Sequence, residues 1–221
     1  MISIIIPAYN EEKYLEKTLK SIHEQTDDDY ETIVVANGCT DNTEKIAQRY
    51  ADRTFSINKP NVSLARNIGA SNAKGDLLLF LDADTQLARN AVIEIQNQFS
   101  TKDAIATLLV YPQPNKLQYQ LLLTSKNFLH TSKLFAGSGG TIITSKALFH
   151  HTGGFNKKLT IKENRALIKQ LKRLGNYKVI RRTYALTSTR RLDRWGLLGT
   201  SLFWLRNRWG DKENVPYELI R

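Results

Sequence analysis

An α/β fold, with a mostly parallel central sheet and flanking helices, is what the amino-acid sequence predicts. Apolar β-branched runs alternate with longer amphipathic stretches. They follow in the order strand, helix, strand, helix, which implies parallel neighbours joined by right-handed crossovers. The run Leu77-Leu78-Leu79-Phe80-Leu81 is wholly apolar, too short for a helix and preceded by Gly75-Asp76, so it reads as a buried strand.

The first strand is Ile2–Ile6, and Pro7-Ala8-Tyr9-Asn10 is a turn. Tyr14, Leu15, Thr18, Leu19 and Ile22 recur at helical spacing and predict a helix from Glu11 to about Glu24. Glu31–Ala36 is the second strand. The turn Asn37-Gly38-Cys39-Thr40 follows, with Thr40 placed to cap a helix from Asp41 to about Ala51. Thr54–Ile57 is a short strand. Val62–Ala73 is a helix closed by Lys74-Gly75. After Leu77–Leu81 come a helix over Ala88–Phe99, a strand over Ala104–Val110 and a break at Tyr111–Asn115. A rather apolar helix is expected from Leu117 to about Leu134, then a strand over Thr141–Thr144 and a short helix over Ser145–His151 ending at Gly153-Gly154. Lys162–Leu174 reads as a helix stopped by Gly175, and Lys178–Arg181 as a strand.

The 221 residues suit one large domain, or one domain with an elaborated end. Cys39 is the only cysteine, which excludes an intrachain disulfide and fits a reducing compartment. The chain starts directly on a strand-like run rather than a signal peptide, and no apolar stretch approaches the roughly 18 residues of a membrane span. Charge is uneven. Residues 1–161 carry 17 Lys/Arg against 16 Asp/Glu, a balance of +1, and residues 162–221 carry 15 against 5, or +10. That basic quarter is either a solvated face or a surface for phosphates, anionic membrane or nucleic acid.

Asp82-Ala83-Asp84 ends the Leu77–Leu81 strand, and ligands bind at the carboxyl ends of strands in open α/β sheets. Two adjacent acids are costly there unless a cation neutralises them. A divalent metal carrying a phosphorylated substrate is suited to the task. The spacing is not specific in itself: Asp27 and Asp29 repeat it within a polar stretch that reads as a solvated loop. Further polar groups gather at the same edge, with Pro7-Ala8-Tyr9-Asn10-Glu11 after the first strand and Asn37-Gly38 after the second. Asn10 is also placed to cap the first helix. Arg66-Asn67 lies beside the apolar face Leu64, Ala65 and Ile68, where Arg66 is either a surface arginine or a partner for the acids or a phosphate.

Together these segments resemble family 2 glycosyltransferases in order and spacing. The resemblance rests on Ile4–Glu12, Val34–Thr43, Ala65–Ala70 and Leu81–Thr85, with Gly153-Gly154-Phe155-Asn156 similar to the family's Gly-Gly-Phe-Asp, and covers about residues 1–180. It implies a GT-A fold, a nucleotide-diphosphate sugar as donor, Mg²⁺ or Mn²⁺ on Asp82 and Asp84, and inversion at the sugar carbon. It also implies that Pro7, Ala8, Tyr9, Asn10, Glu11, Asn37 and Arg66 line the nucleotide pocket, with Asp82, Ala83 and Asp84 at the ribose and diphosphate. Two positions depart from the family. Ala36-Asn37 replaces an acid pair, which leaves the base of the nucleotide open. Glu163-Asn164 falls where the family has Glu-Asp, whose aspartate is the expected base. An amide cannot accept a proton usefully, so Glu163 takes the catalytic role here beside Asp84, against the plain alternative of an acid capping its helix.

The tail Thr187–Gly196 resembles a segment of small bacterial members, with Arg190 and Arg191 folding over the diphosphate or an anionic acceptor. Beyond it, Leu197, Leu198, Leu202, Phe203, Leu205 and Trp209 interleave with Arg206 and Arg208, as in a helix packed on the domain or lying on a membrane. The expected layout is a catalytic domain over residues 1–181, divided at 110 into donor and acceptor halves, and a basic aromatic extension over 182–221. The reading is a metal-dependent inverting glycosyltransferase of hexosyltransferase type with a lipid-linked or otherwise anionic acceptor. Its expected place is cytoplasmic, or peripheral on the inner face of the membrane, and nucleic acid is not expected as a partner. The alternatives are a non-catalytic nucleotide-sugar binder and a nucleotidyltransferase. The latter usually has a glycine-rich loop where this chain has Pro7-Ala8-Tyr9-Asn10.

Overall fold

The structure is a computed structural model that describes residues 1–132 and 136–206, with backbone alone at 198, 201 and 203–206. The helix end expected near Leu134 and the interleaving side chains from Leu198, Phe203 and Leu205 to Trp209 lie outside this description. The strands are β1 (Ile2–Ala8), β2 (Tyr30–Asn37), β3 (Arg53–Ile57), β4 (Leu77–Leu81), β5 (Thr85–Leu87), β6 (Asp103–Gln113), β7 (Thr141–Ser145) and β8 (Asn176–Ser188). The helices are α1 (Leu15–His23), α2 (Thr43–Tyr50), α3 (Val62–Asn72), α4 (Ala91–Gln98), α5 (Leu117–Thr131), α6 (Lys146–His151), α7 (Glu163–Leu171) and α8 (Arg190–Arg206), the last kinked at Gly196.

The strands form one sheet in the order β3-β2-β1-β4-β7-β6-β8-β5. The half holding β1 to β4 is parallel throughout, while β7 runs antiparallel between β4 and β6. Isoleucines explain why β1 is central: Ile2, Ile4 and Ile6 enter one core with α1, α2 and α4, and Ile5 enters the other with α3, α6 and α7. With both faces buried, the strands read as unbroken apolar runs rather than alternating ones. Gly69 lets α3 approach β1, since a Cβ there would stand 2.4 Å from Ile5 Cγ2.

Five sequence readings are corrected. A three-residue strand, β5, precedes α4, and a segment this short carries no periodic signal. β6 runs on through Tyr111 and Pro112 to the cis Gln113–Pro114 peptide instead of breaking at Tyr111. Its partner β8 continues to Ser188, past residue 181, because the parallel ladder between them extends from Asp103–Asn176 to Gln113–Ser188. Lys162 stands outside α7 with a left-handed backbone, φ 64°. At α2 the turn is tied by Asp41, whose Oδ1 accepts from the Thr43 N–H at 3.0 Å, rather than by Thr40.

α5 covers β6 through polar side chains. Asn127 accepts from the Val110 N–H at 3.0 Å and donates to its carbonyl at 2.8 Å. His130 is buried on the same side, and burial, reinforced by Lys126, pushes its pKa down to about 4. Folding therefore favours the neutral imidazole. The stability this contributes is complete above the ordinary value of 6.5 and is lost as pH falls towards 4. Urea unfolding is expected to show a loss of about 2 kcal/mol between pH 7 and pH 5 that His130→Leu removes. An equal loss in both proteins would assign the acid sensitivity to another group.

Candidate active site

The carboxyl ends of β1, β2 and β4 meet at one cleft. Its walls are Pro7, Tyr9, Glu11, Val62, Asp82, Ala83, Asp84, Arg190 and Arg191. A wider adjoining groove shares Asp84 and Arg190 with it. The sequence-predicted residues that do not touch the cleft brace it. Asn10, at φ 52°, does not cap α1, which starts five residues later at Leu15 behind Tyr14. Its Oδ1 instead accepts from the Thr40 N–H at 2.8 Å, and Cys39 Sγ donates to the Ala8 carbonyl at 3.1 Å. Two bonds thus sew the β1 turn to the β2 turn. Burial raises the pKa of the Cys39 thiol, as suits a structural rather than a reactive cysteine. Asn37 is buried and its Oδ1 accepts from the Asn61 N–H at 2.6 Å, holding the residue that caps α3. The Asp27–Asp29 pair lies in a loop on another part of the surface, where Asp29 meets the N-terminal amine at 3.1 Å.

Arg66 is the centre of the arrangement. Its residue is 2% exposed, and its guanidinium donates through Nη2 to Asp82 Oδ1 at 2.9 Å. Through Nη1 it donates to Glu163 Oε1 and Asn164 Oδ1, each at 3.0 Å. Its plane lies 5.1 Å from the Phe155 ring. Arg66 is therefore the acid partner, not the surface arginine. The glycines of Gly153-Gly154-Phe155 explain the ring's position. Both adopt positive φ, 76° and 75°, as glycine does without strain, and the turn delivers Phe155 to Asn67. Asn67 holds that residue's backbone from both sides, accepting from its N–H at 2.9 Å and donating to its carbonyl at 2.8 Å. Asn164 also donates to Ser138 Oγ at 3.2 Å, so its amide is engaged at both ends.

The second arginine sits across the cleft. Arg190 makes a bidentate bond to Glu11 at 2.5 Å on each arm and reaches Asp84 Oδ2 at 3.2 Å through Nε. Its guanidinium also stands 4.8 Å from the Tyr14 ring. β5 is what brings it there. Thr85–Leu87 pairs antiparallel with Ala185–Thr187, and the Ser188 N–H donates to the Asp84 carbonyl at 3.1 Å, which leaves Arg190 beside the acids. Burial raises the Glu11 pKa against the pull of Arg190, and the charges of Asp84 and Asp82 raise it further. At Arg190 burial opposes the charge, but Glu11 and Asp84 outweigh it and raise its pKa. Glu11, Asp82 and Asp84 on the cleft wall, and Glu163 buried behind it, are then held by Arg66 and Arg190. Two side-by-side carboxylates at a strand end suit a divalent cation whose remaining ligands come from phosphate and water. No group of three or more His, Cys, Asp or Glu among the described residues could hold a metal by itself.

Comparison with known proteins agrees with this geometry. Residues 3–160 match the sequence family described as Glycosyl transferase family 2. An uncharacterised glycosyltransferase of Rickettsia felis is 30% identical over 183 residues, covering 72% of this chain and 29% of that protein. Glycosyltransferase GlyG of Streptococcus pneumoniae is 32% identical over 110 residues, 47% of this chain and 36% of that one. The chain thus spans about a third of the length of these relatives. Among solved structures, the mannosyltransferase PcManGT of Pyrobaculum calidifontis, in complex with GDP-Man and Mn²⁺, superposes with a TM-score of 0.70 at 17% identity over 97% of this chain and 65% of that one. S. aureus TarS residues 1–349 with UDP gives 0.65 at 18% identity over 85% and 61%.

Replacing Arg66 by Met would strand buried Glu163 and half-buried Asp82 without their cation. Urea unfolding is expected to show a loss on the order of 3 kcal/mol. Arg66→Lys should lose less, because it keeps the charge and one bond. Equal stability of Arg66→Met and the parent chain would mean that the bridge contributes nothing to the fold.

Proposed function

The chain belongs to glycosyl transferase family 2, and from that premise we propose that it moves a sugar from a nucleotide-diphosphate donor to an acceptor hydroxyl in one inverting displacement. Its fold is the GT-A fold that the sequence resemblance implies. The observation that carries the proposal is the pairing of Asp82-Ala83-Asp84 on one wall of the cleft with Arg190 and Arg191 on another. Acids there suit a cation, and guanidiniums suit a diphosphate. The bound nucleotide sugars or diphosphates of PcManGT and TarS support the same assignment.

In this reading Pro7, Tyr9 and Glu11 border the nucleotide, and Ala8, Asn10 and Asn37 hold the two turns that border it. Asp82 and Asp84 would hold Mg²⁺ or Mn²⁺, which supplies positive charge to a leaving diphosphate when bound. Arg190 and Arg191 turn to the diphosphate and offset the charge that gathers as the sugar–oxygen bond breaks. Glu163 takes the acceptor's proton as the hydroxyl oxygen bonds to the sugar carbon on the face opposite the diphosphate. Arg66 positions Glu163 relative to Asp82, and Asn164, bonded to Arg66 and Ser138, orients rather than accepts a proton. The acceptor is a lipid-linked or other anionic molecule, with the basic C-terminal quarter near the membrane.

Two measurements test this. Nucleotide diphosphates and their sugars are expected to raise the melting temperature only with Mn²⁺ or Mg²⁺, by an amount equivalent to about 2.7 kcal/mol at a ligand concentration near 100 times Kd. Asp84→Asn should remove the shift, and a set of uridine and guanosine diphosphates without any cation-dependent shift would sink the donor site. Glu163→Gln should leave that shift intact and lower donor turnover by on the order of 10²-fold or more. Full turnover in Glu163→Gln would move the base elsewhere. Donor binding with no turnover in the parent chain would make it a nucleotide-sugar binder.

A further inference from the structure

α5 faces the wrong way for a helix on a water-exposed surface. Leu117, Leu121, Leu122, Phe128 and Leu129 are all exposed, Leu117 by 73% and Phe128 by 68%. At 3.6 residues per turn they share an arc of about 140°. The side turned to the domain carries Tyr119, Asn127 and His130 beside Leu123, and it is held by hydrogen bonds. An amphipathic helix on a soluble domain normally buries its apolar stripe and solvates the polar one. Here the polar stripe is spent on β6 and α8, and a contiguous apolar face is left outward, the kind of patch that marks an interaction surface.

Charge around this face is mostly basic, with Asp193 paired to Lys116 at the start of the helix. No Asp or Glu occurs between Asp103 and Glu163, whereas that interval holds seven lysines. Lys116 stands at the start of the helix, and Arg181 reaches the Thr131 carbonyl at its far end at 3.4 Å. Leucines and a phenylalanine on a helix that carries no acid of its own, with Lys116 and Arg181 at its two ends, fit an anionic lipid surface better than an acidic or polar protein face. No described helix is long and apolar enough to cross a membrane, so the contact would be interfacial.

We propose that the outer face of α5 docks this protein on anionic lipid. The surface lies apart from the cleft-lining Arg190 and Arg191, on the outer side of a helix whose inner side meets β6.

The test uses the full chain and sedimentation with phosphatidylcholine–phosphatidylglycerol vesicles, with pure phosphatidylcholine as control. Binding is expected to the mixed vesicles. The double variant Leu121→Gln, Phe128→Ser should lower the partition by about tenfold or more. A second pair, Leu117→Gln with Leu129→Gln, should do the same. Both variants should keep the melting temperature without vesicles and the cation-dependent response to nucleotide diphosphates, so a failed donor site and a failed docking surface read out separately. Three results overturn the proposal. Unchanged partition would place lipid contact elsewhere. A lower melting temperature without lipid would mean that the chain covers this face itself. Loss of a dimer on size-exclusion chromatography with light scattering would make the face an interface between copies.

Discussion

One guanidinium ties together, at the cleft, three elements that share a hydrophobic core. Arg66 comes from α3, Asp82 from the end of β4 and Glu163 from the first turn of α7. A buried arginine is tolerable only when its charge and donors are matched, and a buried carboxylate likewise. The fold matches the charges and both Nη groups by bringing them together over the Phe155 ring. Arg66 Nε is buried and has no hydrogen-bond partner among the described residues. The acid nearest the cleft and the acid proposed as base are therefore coupled through one rigid group. Whatever changes the charge on one is felt by the other.

The other half of the cleft is built from the sheet's far end. Because β8 pairs with both β6 and β5, the chain is led from the acceptor side back to the strand after Asp84. The ladder ends with Ser188 bonded to Asp84, and the next turn starts α8 with Arg190. A three-residue strand thus fixes where a cation 103 positions beyond its last residue stands. The charge balance of the cleft depends on that return path as much as on the acids themselves.

The parallel half of the fold was legible because its signals are local. Ile2–Ile6 and Leu77–Leu81 are apolar on both faces, and the helices between them repeat at 3.6 residues. Asp82 and Asp84 could be placed for the same reason, being the residues that follow a buried strand. What escaped depends on partners distant in sequence. β5 exists only because Ala185–Thr187 lies beside it, and β6 passes through Pro112 because β8 continues with it. Arg66 was ambiguous between surface and site for want of Glu163, 97 residues away. The inverted face of α5 was visible as unusual apolarity, but its direction was not, since that is decided by Asn127 finding the Val110 backbone.

The two arginines are not equivalent, and their burial says which is free to act. Arg66 has a side chain 3% exposed, bonded on both arms and packed on an aromatic ring. Arg190 is 32% exposed and begins a helix at the rim. Even with Arg191 on the wall, four acids outnumber the guanidiniums, which leaves the cleft net negative and receptive to a cation. Under the proposed function such an ion competes with Arg190 for Asp84 Oδ2, because a cation and a guanidinium cannot share that oxygen closely without repulsion. Arg66 cannot yield without leaving Glu163 buried and unpaired. Arg190 can, since it turns from Asp84 into a cleft where a diphosphate would meet it. The exchange keeps every charge matched: the ion takes the acid, and the arginine takes the phosphate that came with the ion.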